Sequence, residues 1–101
     1  MMCEIGNVIS KVNNRRISVL NFAEKVNEEL FEIYGYSDVK IYRDAYMNCI
    51  VIAFVVLDDE SKKIIEVKYD TCTLLNADDI QELYDIMRQA IKEKLDIDLD
   101  L

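Results

Sequence analysis

A chain of 101 residues with no proline, two glycines and 51% apolar residues has material for one domain with one core, and no stretch of linker composition. Its formal charge of −8 arises entirely in residues 44–101, where fourteen acidic side chains face six basic ones, while residues 1–43 hold six of each. This balance argues against nucleic acid as a direct partner, because phosphate binding needs a basic footprint.

Met2, Ile5, Ile9 and Val12 recur at helical spacing and predict a helical segment over residues 2–12, weakened by Gly6 and Asn7. Asn13, Asn14, Arg15 and Arg16 read as a polar break. Val19, Phe22, Ala23, Val26, Leu30 and Ile33 then trace one face of an amphipathic helix over about 19–34. Ser18 or Asn21 is its expected cap, Asn21 and Glu24 approach a capping box, and Gly35 stands where a helix stops. Glu24, Lys25 and Glu28 fall on the outside.

Val39 and Ile41 alternate with Lys40 and Tyr42, which predicts a half-exposed strand, with a turn over Asp44 to Asn48. The run Cys49 to Leu57 is CIVIAFVVL. It is too short to cross a membrane and too β-branched for a good helix, so it predicts a central strand. One face would carry Ile50, Ile52, Phe54 and Val56, and the other Cys49, Val51, Ala53, Val55 and Leu57, so cover is expected on both sides. After a polar turn at Asp58 to Ser61, Ile65, Val67 and Tyr69 alternate with Glu66, Lys68 and Asp70 as a third strand. Asn76 is the expected cap of a last helix over about 77–95, with Ile80, Leu83, Tyr84, Met87, Ile91 and Leu95 as its buried stripe. The tail, DIDLDL, follows a strand period.

These elements predict a single α+β domain over residues 1–101: a three-stranded antiparallel meander packed by helices, order α-β-β-β-α, with an extra N-terminal helical segment. Cys3, Cys49 and Cys72 form an odd set without a CxxC pair and read as reduced thiols, Cys49 as a small buried hydrophobe. The N-terminus shows no secretory leader pattern, no run suits a membrane helix, and a cytoplasmic protein is expected.

The lack of histidine removes the commonest general base and metal ligand, and no glycine-rich phosphate loop is present. Asp96, Asp98 and Asp100 form a DxDxD, but without the glycine and distal glutamate of a calcium loop. No metal and no cofactor are expected. Ile64-Ile65-Glu66-Val67-Lys68 resembles the E-x-K strand of the PD-(D/E)xK nucleases. That resemblance implies a divalent metal held by Glu66 and an upstream carboxylate, Asp44 or Asp58, with Lys68 positioning or activating water. The alternative is that Glu66, Lys68 and Asp70 are the solvent face of a strand. Catalysis is not expected.

The acidic side chains form a second constellation. Asp78, Glu82 and Asp85 share an outer face of the last helix at i, i+4 and i+7, Asp58, Asp59 and Glu60 cluster on a turn, and Asp96, Asp98 and Asp100 line the tail. Such rows can imitate phosphates and occupy a basic groove. In size, charge and lack of catalytic residues the chain is similar to the small acidic phage proteins that block CRISPR nucleases and other defence enzymes, without a shared motif. That likeness implies an inhibitor or modulator of a basic nucleic-acid-handling protein, acting in the host cytoplasm. The element order also suits phage tail or ring subunits, in which the tail could pair with a neighbouring sheet edge to build a homo-oligomer.

Overall fold

The computed structural model describes residues 2–46, 48–59 and 61–101, with residues 2–7 described in their backbone alone. Glu60 and the side chains of Met2, Cys3 and Ile5 therefore lie outside the described residues. The order is α1 (Met2–Tyr34), β1 (Ser37–Asp44), β2 (Cys49–Leu57), β3 (Lys62–Asp70), α2 (Thr71–Asn76) and α3 (Ile80–Leu95). The strands form an antiparallel sheet in the order β1-β2-β3, with the apolar strand in the centre as expected.

The N-terminal segment is helical, but it runs without interruption into the following helix, so Ser18 and Asn21 are interior residues and not caps. At 33 residues α1 is about 50 Å long, which accounts for the long axis of a body measuring 55 × 29 × 19 Å. Helix persists through Asn13 to Arg16, and Arg15 is bonded across the fold. Val12 and Val19 are both buried and stand seven residues apart, so Arg15 and Arg16 occupy the same inward stripe between them. The Arg15 guanidinium donates to the carbonyls of Leu74 at 2.8 Å, Ala77 at 2.6 Å and Leu75 at 3.3 Å. These are the otherwise unsatisfied carbonyls at the end of α2, which cations near a helix C-terminus also favour electrostatically. Gly35, at φ +81°, ends α1 and donates its N–H to the Phe31 carbonyl at 2.8 Å.

All three helices contribute to one apolar cluster with one face of the sheet. Val12, Val19, Phe22, Ala23, Val26 and Leu30 of α1 meet Ile52, Phe54 and Val56 of β2, Ile65, Val67 and Tyr69 of β3, and Leu83, Met87, Ile91 and Leu95 of α3. Ile33 is exposed, and Tyr34 packs against the cluster in its place. Phe22 stacks on Tyr84 at 4.2 Å between ring centroids, and the Arg88 guanidinium lies 5.1 Å from the Phe22 ring centre, joining α1 to α3. The buried Tyr69 hydroxyl donates to the Leu83 carbonyl at 2.6 Å, and burial pushes its phenol well above its ordinary range. Ser37 is buried and donates its hydroxyl to Asn27 Oδ1 at 2.6 Å, tying β1 to α1.

The expected cover on both faces of β2 is absent in one respect. Cys49, Val51 and Ala53 are buried, yet they lie outside the cluster that the helices share. Their shielding comes from within the sheet. Tyr42 and Lys68 flank Val51, and Lys40 and Glu66 flank Ala53. Long side chains beside short ones on one face can hide the middle of a narrow sheet. Toward the other end of this face Val55 is half-buried and Leu57 exposed.

The last helix begins three residues later than the sequence predicts. Residues 71–76 form α2, with Asp70 as its cap, and Asp79 caps α3. Asp79 accepts from the Glu82 N–H at 3.1 Å while Glu82 accepts from the Asp78 N–H at 3.0 Å, an arrangement close to a capping box. Asn76 lacks a glutamate three residues on, so Asp79 is the better start. Two substitutions test this packing. Phe54→Ala should cost about 3–5 kcal/mol in denaturant melts, and a change below about 1 kcal/mol would contradict its place in the core. Arg15→Met keeps the aliphatic stem but strands three carbonyls, and should cost about 1.5–3 kcal/mol. An unchanged melt would show that water replaces the guanidinium freely.

Candidate functional site: an acidic groove along a sheet edge

β3 pairs with β2 on one side only, so its other side is a sheet edge with backbone groups directed outward. α3 packs against β3, the strand that carries this edge. Between them lies an open groove of about 600 Å³ lined by the apolar Val67, Ile86 and Ala90 and by four acidic residues, Glu66, Glu82, Asp85 and Glu93, with Glu66 entering from the outer face of the sheet edge. Lys68 is the one basic side chain of its lining.

The structure distributes the expected acidic residues unevenly. Glu82 and Asp85 reach the groove, while Glu66 and Glu93 join them without having been singled out as an acidic surface. Glu93 could have been found in the sequence: it stands eight residues after Asp85, one helical stripe further along. Glu66 could not, since its place beside α3 depends on how the last helix packs. Asp85 is partly offset by Arg88 at 2.7 Å. Asp78 sits in the loop before α3, exposed, with its backbone N–H held by Glu82. Asp58 and Asp59 occupy the β2–β3 turn, closed by Asp58 N–H to the Ser61 carbonyl at 2.9 Å, with the Asp58 carboxylate accepting the Asp59 N–H at 2.7 Å. That turn lies beyond the last paired rung, Leu57 with Lys62, and outside the groove.

The tail is not a strand. Asp96, at φ +55°, takes the left-handed conformation that ends α3, and its N–H reaches the Lys92 carbonyl at 2.8 Å. Lys92 then binds Asp98 at 2.7 Å, Arg88 donates to the Leu101 oxygen, and Ile97 and Leu99 pack against the core cluster. The strand period in DIDLDL thus records alternation between core and solvent along a segment that joins no sheet. Asp100 is exposed.

The residues of the nuclease-like set are not brought together. Glu66 and Lys68 are exposed on β3. Asp44 pairs with Cys49, which pairs with Asp70, so Asp44 stands on a rung four residues from Glu66. Asp58 lies past the rung of Lys62, four residues from Glu66 in the other direction. Each carboxylate is thus roughly 13 Å or more along the strand from Glu66, too far to share an ion. Among the described residues no group of three metal-ligating side chains converges. Cys49 is a free buried thiol and Cys72 a free exposed one. No described helix is long and apolar enough to cross a membrane.

No protein-family model matches the chain, and neither the curated proteins nor the solved structures contain a detectable relative.

Asp70, outside the groove, gives the start of α2 a pH signature. Its carboxylate accepts the Thr73 N–H at 2.7 Å. That backbone bond first, and the Thr73 hydroxyl second, hold its pKa below the ordinary 3.8. A carboxyl depressed in the fold contributes stability above its unfolded value of about 4, and loses it as pH falls through the lower folded value. Asp70→Asn keeps a capping oxygen without the charge. Its melting temperature should fall below wild type near pH 7, and the gap should close towards pH 3. A gap that stays constant over that range would mean the charge has no part in the cap.

Proposed function

We propose that this chain is a non-catalytic protein-binding domain whose β3–α3 groove takes a basic segment of a nucleic-acid-handling partner, so that bound partner is withheld from its nucleic acid. One observation carries the reading: four carboxylates and one lysine line a partly apolar groove beside a free strand edge. An extended segment added to such an edge gains main-chain hydrogen bonds, and alternate side chains enter the groove. Val67, Ile86 and Ala90 supply apolar contact, and Glu66, Glu82 and Glu93 select for lysine or arginine. The charge of −8 adds long-range attraction for a basic partner, which raises association rate more than affinity.

The structural work of Glu82 determines how the groove should be tested. Reversing Glu82 would disturb the start of α3, so the informative variant is the double reversal Glu66→Lys with Glu93→Lys, both exposed and outside the capping arrangement. Surface charges of this kind contribute about 0–1 kcal/mol to folding, so the melt should stay near wild type. Stopped-flow association with a synthetic peptide of alternating lysine and valine should slow at least tenfold at low salt. Added salt should slow the wild type in the same way, since the Debye length shrinks to about 8 Å at physiological ionic strength. Equal rates for the reversed and native proteins at low salt would sink the proposal.

A further inference from the structure

A separate cavity of about 260 Å³ opens at the hairpin end of the sheet, and it shares no lining residue with the acidic groove. Its apolar wall includes Leu20 of α1, Ile41 of β1, Ile50 of β2 and Leu74 of α2, and two arginines, Arg16 and Arg43, line it with them. No carboxylate is among its lining residues, in a chain that carries twenty acids against twelve bases.

Arg16 is placed there by the helix itself. It stands on the inward stripe of α1 between Val12 and Leu20, four residues from each, where an apolar residue would be expected. Its Nη1 reaches the Asn13 side chain at 3.2 Å, but its Nε is buried without a hydrogen-bond partner among the described residues. A buried guanidinium N–H without a partner is costly, and such groups are rare unless a missing group completes them. Arg43 donates to Asn48 Oδ1 at 3.2 Å and keeps further donors. No acid pairs with either arginine among the described ion pairs.

We propose that this cavity binds a small amphipathic monocarboxylate, with its carboxylate on Arg16 and Arg43 and its hydrocarbon body against Leu20, Ile41, Ile50 and Leu74. The two sets of groups demand both parts of such a ligand. Guanidinium is the side chain best suited to grip a carboxylate with two parallel bonds, and an apolar wall rejects a small hydrated anion such as phosphate. The volume lies just below the usual range for ligand sites, roughly 300–1,000 Å³, which favours a medium-chain or single-ring acid over a nucleotide-sized molecule.

The test uses the full chain and four probes followed by amide and methyl chemical shifts: octanoate below its micelle concentration, octanol, octylamine and acetate. Octanoate should give saturable shifts centred on Leu20, Ile41 and Ile50, and the other three should bind at least tenfold more weakly. Arg16→Met should weaken octanoate at least tenfold. Ile41→Trp starts from an exposed position and fills the space, so it should abolish binding with an unchanged melt even if the Arg16 variant is destabilised. Octanol binding as tightly as octanoate, or octanoate shifts that are non-saturable or lie elsewhere, would refute the carboxylate site. So would undiminished octanoate binding in Ile41→Trp.

Discussion

Ile52, Phe54 and Val56 are fully buried, and Ile65, Val67 and Tyr69 nearly so, on one face of a sheet three strands wide. Strands spaced about 4.8 Å apart make that face roughly 10–14 Å across, which is wider than one helix and narrower than two packed side by side. One helix would leave β2 or β3 wet, and two must overhang. α1 covers β1 and β2 while α3 covers β3, and the short α2 fills the space beside α1. Both recessed sites lie where helix meets sheet: the acidic groove between α3 and the edge of β3, and the cavity where α1 and α2 meet the β1–β2 hairpin end of the sheet.

The opposite face of the sheet does without a second layer because of its own side chains. Its central positions are small, Cys49, Val51 and Ala53, and its flanking positions are long, Lys40, Tyr42, Glu66 and Lys68. Aliphatic stems and a tyrosine ring close over the middle while their polar ends stay in water. Glu66 therefore stands at a boundary: its side chain lies beside Ala53 on the outer face, and the residue lines the edge of the groove between β3 and α3.

Charge in this chain is only partly free for binding. Asp70, Asp79 and Glu82 satisfy N–H groups at helix starts, Asp96 turns the chain at the end of α3, and Asp98 holds the tail to Lys92. Arg15 closes the end of α2, and Arg88 meets Phe22, Asp85 and the Leu101 oxygen together. Removing these from the tally leaves Glu66 and Glu93 as the groove's uncommitted carboxylates, apart from a weak contact of Glu93 with Gln89 at 3.3 Å. Arg16 stands apart as a cation on an inward stripe, with a donor nothing in the described chain accepts from.

The sequence alone determined the meander, the central place of β2, the turns and the buried stripe of α3. Each is a local period, two for strands and 3.6 for helices, repeated long enough to stand above composition. The nine-residue run CIVIAFVVL could be little else. It misplaced the features whose cause is distant in the chain. Residues 13–16 look like a break because arginines interrupt an apolar stripe, yet Arg15 is satisfied by carbonyls about sixty residues away. DIDLDL has a strand's period but finds no strand to pair with, and settles its isoleucine and leucine on the core instead. The acids of α3 were legible as a face, but their union with Glu66 across a strand edge, and the meeting of Arg16 with Arg43 over an apolar wall, were fixed only when the helices packed. Periodicity records which side of an element is wet. Which wet sides face each other is decided by the tertiary fold, because it depends on contacts between residues that no local pattern relates.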